Sequence, residues 1–103
     1  MQNKKANITF RIKENSPLAR IAAWKLNATG VAMVLGKTIH LYNTTKEDFL
    51  ANERWLKHEL CHVRQYEQYG FIPFLLLYTW ESLLHGYYNN KFEREARQAE
   101  GQV

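Results

Sequence analysis

Between Trp55 and Tyr69 the chain writes a helix that has to be covered on two sides. At ~100° per residue, Trp55, His58, Glu59, His62, Tyr66 and Tyr69 gather in one sector, while Phe49, Leu56, Leu60 and Val63 gather in another. The second sector is an ordinary core face. The first carries two imidazoles and a carboxylate among aromatics and reads as a separate site face of the helix. Thr44 or Thr45 caps its start, and Glu47 and Asp48 put negative charge where the helix dipole favours it. One long helix is therefore expected from this cap to Gly70. Cys61 points away from both sectors, toward Leu50 and Gln68, and reads as a small half-buried hydrophobe rather than a ligand.

The flanking sequence supplies the partners. From Asn7 to Lys13, apolar Ile8, Phe10 and Ile12 alternate with polar residues, the period of a half-buried strand. Ser16-Pro17 is an N-cap followed by proline at the first helical position, and Leu18, Ile21, Ala22 and Leu26 recur at helical spacing up to a stop before Gly30. Val31–Leu35 and Thr38–Tyr42 flank Gly36-Lys37 and predict a hairpin. Pro73 suits the first turn of an apolar helix ending near Gly86. Tyr87–Asn90 then reads as a connection to a last helix, Lys91 to Glu100. The order of elements is α+β with a small sheet.

Length and composition bound the rest. A chain of 103 residues has room for one domain, which typically takes ~100–200 residues. Its 46% hydrophobic content is enough to close one core, so disorder is excluded. The apolar run Phe71–Trp80, closed by Glu81, is about half the ~20 residues that cross a bilayer, so no transmembrane segment is expected. The N-terminus lacks the apolar stretch of a signal peptide, and Cys61 stands alone, so a reducing, cytoplasmic setting is expected. The net charge of +4 comes from scattered Lys and Arg, which gives no specific nucleic-acid surface.

Within the central helix, His58-Glu59-Leu60-Cys61-His62 is an HExxH motif. Residues four apart lie ~40° apart around a helix and ~6 Å along it, so both rings can reach one metal ion. Glu59 falls on the adjoining edge, where it can touch a metal-bound water without displacing a ligand. Catalytic zinc takes three protein ligands and leaves a fourth position open. A metzincin would place a histidine six residues after His62, but Gln68 stands there, so a downstream acid is required.

His58–His62 followed by Phe92-Glu93-Arg94-Glu95-Ala96 resembles the gluzincin metallopeptidases, which carry HExxH on one helix and ExxA, usually then Asp, on a second. The likeness runs from Trp55 to Glu100, and in length and order the chain resembles the single-domain minigluzincins. The resemblance implies a three-stranded sheet with a backing helix, a long HExxH helix and a C-terminal helix that carries the third zinc ligand, Glu93. Glu95 lies ~200° around the helix from Glu93 and cannot share the ion. Only Glu93 has a small residue, Ala96, on its own face to let the two helices close. Where the family commonly has an aspartate that orients a zinc-bound histidine, this chain has Arg97, so that support must be built otherwise.

The implied activity is zinc-dependent hydrolysis of a peptide or protein substrate, with Glu59 as the base acting on a zinc-acidified water. An extended substrate would pair with a strand edge, Thr38–Tyr42 being nearest in sequence. Tyr87 and Tyr88, just before the Glu93 helix, are candidate oxyanion stabilisers; Tyr78 and His85 have the same chemistry, His85 reading rather as a capping or core histidine. The alternative is an inactive or latent zinc-binding module on the same scaffold. It is favoured by the little wall that so short a chain offers a cleft, and its latent form would have the tail Gln98–Val103 or a second copy over the site.

Overall fold

The structure is a computed structural model and describes residues 9–102. The elements are β1 (Arg11–Lys13), α1 (Pro17–Leu26), β2 (Val31–Leu35), β3 (Thr38–Tyr42), α2 (Lys46–Ala51), α3 (Glu53–Tyr69), α4 (Phe71–Asn89) and α5 (Lys91–Ala99). Asn7 and Ile8, expected to begin the first strand, lie outside the described residues. The strands form one mixed sheet in the order β1-β3-β2, with β3 parallel to β1 and antiparallel to β2. The hairpin register pairs Leu35 with Thr38 around Gly36-Lys37, as the spacing predicts.

Alternation along the strands loads both sheet faces. Val31, with Met33 and Tyr42, packs on Ala19, Ala22 and Ala23 of α1. Val34, Ile39 and Leu41 join Phe49, Val63, Tyr66, Phe74 and Phe92 in the larger core on the other face. Helix α1 thus backs the sheet, but through its small residues. Ala19 and Ala23 are buried, whereas Leu18, Ile21 and Leu26 stay about half exposed. The apolar spacing found the helix, but of that set only Ala22 packs on the sheet, because a tight helix–sheet contact selects alanine.

The single helix expected from the cap at Thr45 to Gly70 is two. Thr45 caps α2 by accepting from the Asp48 N–H, 3.0 Å away. Asn52 then leaves helical backbone, and its side chain accepts from the Trp55 N–H at 3.1 Å, opening α3 afresh. Asparagine offers a local alternative to the helical ladder, so it caps well and interrupts readily. Gly70, with φ of 90°, turns the chain directly from α3 into α4, a conformation that favours a residue without a side chain. Gly86, with φ of 82° and ψ of 167°, breaks α4, and the stretch expected to be a plain connection forms one more helical turn to Asn89. The final helix begins and ends within a residue of expectation. Among the described residues no helix is long and apolar enough to cross a membrane.

On the α1 side of the sheet sits a buried polar pair. His40 Nδ1 lies 2.8 Å from the Ser16 hydroxyl, which also accepts from the Ala19 N–H as the cap of α1. The hydroxyl keeps its one hydrogen to donate to Nδ1 when the imidazole is neutral, the form that burial favours. Burial lowers the His40 pKa, and the charge of Lys13, its register partner on β1, lowers it further. A base whose folded pKa lies below its unfolded value of 6.5 contributes stability that is present above that value and lost as pH falls below it. We therefore expect the drop in unfolding midpoint between pH 7.5 and pH 5.5 to be smaller in His40→Asn than in the parent chain. Equal drops, measured in the same denaturant series, would remove His40 from that pH dependence.

Candidate metal centre

Three elements converge on the HExxH face of α3. His58 and His62 stand one turn apart, with ring centroids separated by 5.1 Å. Glu93 enters from the first turn of α5, its carboxylate spanning both rings: Oε1 is 3.0 Å from His58 Nε2 and Oε2 is 3.2 Å from His62 Nε2. Tyr78 of α4 donates its hydroxyl to Glu93 Oε2. Glu59, His62 and Glu93 are all buried.

Glu93 is aimed by its cap. Asn90, fully buried, accepts from the Phe92 N–H at 2.8 Å and donates to the Tyr78 carbonyl at 3.0 Å and to Ser82 Oγ at 2.9 Å. It therefore ties the start of α5 to the turn of α4 that carries Tyr78. On the next face of α5, Ala96 and Ala99 pack on Cys61, so the close approach expected of Ala96 is present. Cys61 faces α5 rather than the side of Leu50 and Gln68. Burial pushes its thiol up to about 11, which keeps it protonated and outside the cluster.

The electrostatics follow from the geometry. Burial pulls the His58 imidazole down, but the hydrogen bond to Glu93, the charge of Glu59 and the bond to Glu100 outweigh it and raise it to about 9. His62 is likewise raised against its burial by Glu93. Burial disfavours the Glu93 carboxylate, yet the two histidines hold it well below the ordinary range. Glu59, buried and without a side-chain hydrogen-bond partner among the described residues, is driven up to about 7 against the pull of both histidines. Without metal, the Glu93 carboxylate lies between two imidazoles whose Nε2–H forms its charge and hydrogen bonds favour.

That is also a description of a cation site. The His58, His62 and Glu93 ligand atoms lie within 4.8 Å of one another. Tetrahedral zinc with bonds of about 2.0–2.2 Å sets its ligand atoms roughly 3.4 Å apart, close to the 3.0 and 3.2 Å between Glu93 and the two imidazoles. Two imidazoles and a carboxylate are a zinc donor set, and replacing the Nε2 protons by one divalent ion preserves the charge balance. The residues fit the ion.

The cluster opens on a cavity of about 480 Å³ whose wall includes His58, Glu59, His62, Tyr78, Tyr87 and Glu93 on one side, and β2 with Leu18, Ile21 and Leu26 of α1 on the other. Its size is within the range of small-molecule and substrate clefts, so shortness of the chain did not prevent one. Leu18, Ile21 and Leu26, the half-exposed apolar residues of α1, belong to this wall.

The segment from β1 through α3, residues 9–70 and more than half of the chain, matches the family described as eCIS core domain. The chain belongs to the eCIS core domain family. Neither curated proteins nor solved structures give a match. In this eCIS core domain the matched segment holds His58, Glu59 and His62, whereas Tyr78 and Glu93 come from the two helices that follow it.

Several expectations for the site are corrected. Thr38–Tyr42 is the interior strand, paired on both sides, so it offers no edge; the edges are β1 and β2, and β2 lines the cavity. Tyr88 lies outside the cavity, with its ring under the Arg97 guanidinium at 4.1 Å. Tyr87 does line the cavity, and burial together with the charge of Glu93 and a hydrogen bond to it raises its phenol; Tyr78, earlier on the same α4, donates to Glu93 as well. His85 is exposed rather than capping or core. The tail, as far as Gln102, packs behind His58 and adds nothing to the cavity wall, so among the described residues it does not cover the site. Glu95 bonds Gln65 and stays apart from the cluster. Gln65 and Glu100 went unremarked in the sequence, where the only signal for them was the missing orienting aspartate.

Proposed function

We propose that this eCIS core domain binds one zinc ion through His58, His62 and Glu93 and hydrolyses peptide bonds, as the gluzincin resemblance implies. The observation that carries the reading is the convergence of both Nε2 atoms on the Glu93 carboxylate beside the buried Glu59. Zinc held there would supply Lewis acidity, polarising a carbonyl and acidifying water. Glu59 supplies the base. A carboxyl raised to about 7 takes a proton near neutral pH and can return it to a leaving amine. The outer edge of β2 gives an extended peptide main-chain partners along the cavity, and the apolar wall of α1 excludes water around it.

Protein prepared without added metal is expected to hold one zinc per chain and to cleave members of a broad peptide library. Glu59→Gln should keep the zinc and lose about 10²–10⁴-fold in turnover, the usual worth of a general base. Turnover unchanged in that variant would refute the mechanism. One observation favours a second reading, a zinc-binding module without turnover: Tyr78, the phenol nearest the cluster, gives its hydrogen to Glu93 rather than to the cavity. Full zinc content with no cleavage anywhere in the library would establish that reading instead.

A further inference from the structure

Each imidazole of the cluster is held from behind by a group outside the HExxH and ExxA motifs. His62 Nδ1 lies 2.8 Å from Gln65 Oε1, and His58 Nδ1 lies 2.7 Å from Glu100 Oε2. We propose that Gln65 and Glu100 are positioning residues for the zinc ligands, one for each histidine. Together they do the work for which Arg97, turned away onto Tyr88, is chemically unsuited. The inference rests on the zinc reading above.

The hydrogen-bond chemistry leaves one arrangement of protons. The Gln65 amide NH₂ faces two acceptors, the Phe92 carbonyl at 3.2 Å and Glu95 Oε1 at 2.6 Å. Its oxygen must then face His62 and accept from Nδ1–H. Glu100 is a carboxylate, an acceptor only, so His58 also presents Nδ1–H to it. In both rings Nδ1 keeps its proton, so Nε2 is the atom whose proton, turned toward Glu93 in the metal-free chain, a cation can displace. That is the tautomer a cation needs, and the same bonds stop either ring from rotating out of line.

The two supports are themselves anchored, each by different means. Gln65 is buried and locked to α5 through Phe92 and Glu95. Glu100 follows α5 directly and is held by Arg54, 3.2 Å away on the first turn of α3, while Lys57 donates to the Gln102 carbonyl beside it. Helix α5 therefore contributes three times to one centre. It supplies a ligand from its first turn, the anchor for Gln65 from its middle and the support of His58 from just past its end.

The test is zinc affinity, measured on the full chain by competition with a chromophoric chelator, together with the absorption spectrum of the cobalt-substituted protein. Glu100→Ala and Gln65→Met should each weaken zinc by about 10–100-fold, the usual effect of removing such a support, and should alter the cobalt spectrum. Glu100→Gln retains an acceptor for Nδ1–H and should restore affinity to within a few-fold of the parent, a rescue that a purely structural role would not produce. Folding is checked by the thermal midpoint of the metal-free proteins. Should Gln65→Met fail to fold, the Glu100 pair, at a partly exposed position, decides alone. Parent-like affinity in folded Glu100→Ala and Gln65→Met would overturn the proposal while leaving the zinc reading intact. A parent chain that takes up no zinc would overturn both.

Discussion

Glu93→Ala is expected to reduce zinc from one per chain to background and to destabilise the metal-free protein as well. Without the carboxylate only two imidazoles remain, one ligand short of the three that hold catalytic zinc. In the metal-free protein the loss acts differently. Glu93 is the hydrogen-bonded counter-charge of both histidines, and its own side chain is buried. Removing one partner of a buried charge cluster typically costs about 3–5 kcal/mol, because it leaves the other uncompensated. The histidines can shed their protons, which brings the expectation to the lower end of that range near neutral pH. Glu93→Gln separates the effects: its amide keeps the shape and one acceptor, so it should recover much of the stability but little of the zinc. Metal analysis beside denaturant unfolding checks both. Zinc at full stoichiometry in Glu93→Ala would transfer the third-ligand role to another acid.

The second large effect is expected far from the motif. Phe74 is the aromatic hub between α3, α4 and α5, with ring centroids 4.6 Å from Tyr66, 4.9 Å from Phe92, 5.9 Å from Tyr78 and 6.0 Å from Tyr69. It is the one fully buried large side chain of α4 among the described residues. Phe74→Ala should cost about 3–5 kcal/mol through the lost transfer energy and the cavity left behind. Its neighbours Tyr78 and Phe92 stand one on the bond to Glu93 and one beside it, so the same change should loosen the centre. Leu76→Ala on the outer side of the same helix, where the side chain is 66% exposed, should stay within about 0.5 kcal/mol. Equal losses at the two positions, in urea unfolding of the metal-free protein, would mean that α4 is held by its outer face instead.

Both predictions concern residues whose importance is unequally visible in the sequence. Glu93 stands at the expected spacing before Ala96, and the structure puts it between the two imidazoles. Phe74 is one of several large apolar residues in Phe71–Trp80, and nothing in the run marks it as the buried one. Helix α4 is apolar nearly all round, so its periodicity does not choose a face. In α1, likewise, Leu18, Ile21 and Leu26 recur at the same helical spacing as Ala22, yet they line the cavity while Ala22 packs on the sheet. The ambiguity of α4 also left Tyr78 a candidate by chemistry alone; Tyr78 shares its helix face with Phe74 and meets Glu93 where Asn90 ties α5 to α4.

Local spacing sufficed wherever the deciding interaction lies within a few residues. Ser16 and Thr45 cap their helices, Gly36-Lys37 closes its hairpin, and His58 and His62 share a face because four residues make about one helical turn. Asn52 was legible in principle but ambiguous, since asparagine both tolerates and interrupts a helix. Tertiary structure alone decided the rest. It placed β3 inside the sheet and β2 at the edge, brought Glu100 and Gln65 behind the histidines, and turned Tyr88 away beneath Arg97. The physical reason is that these contacts join residues distant along the chain. Their formation depends on how whole helices pack, a sum over many side chains that no single spacing encodes.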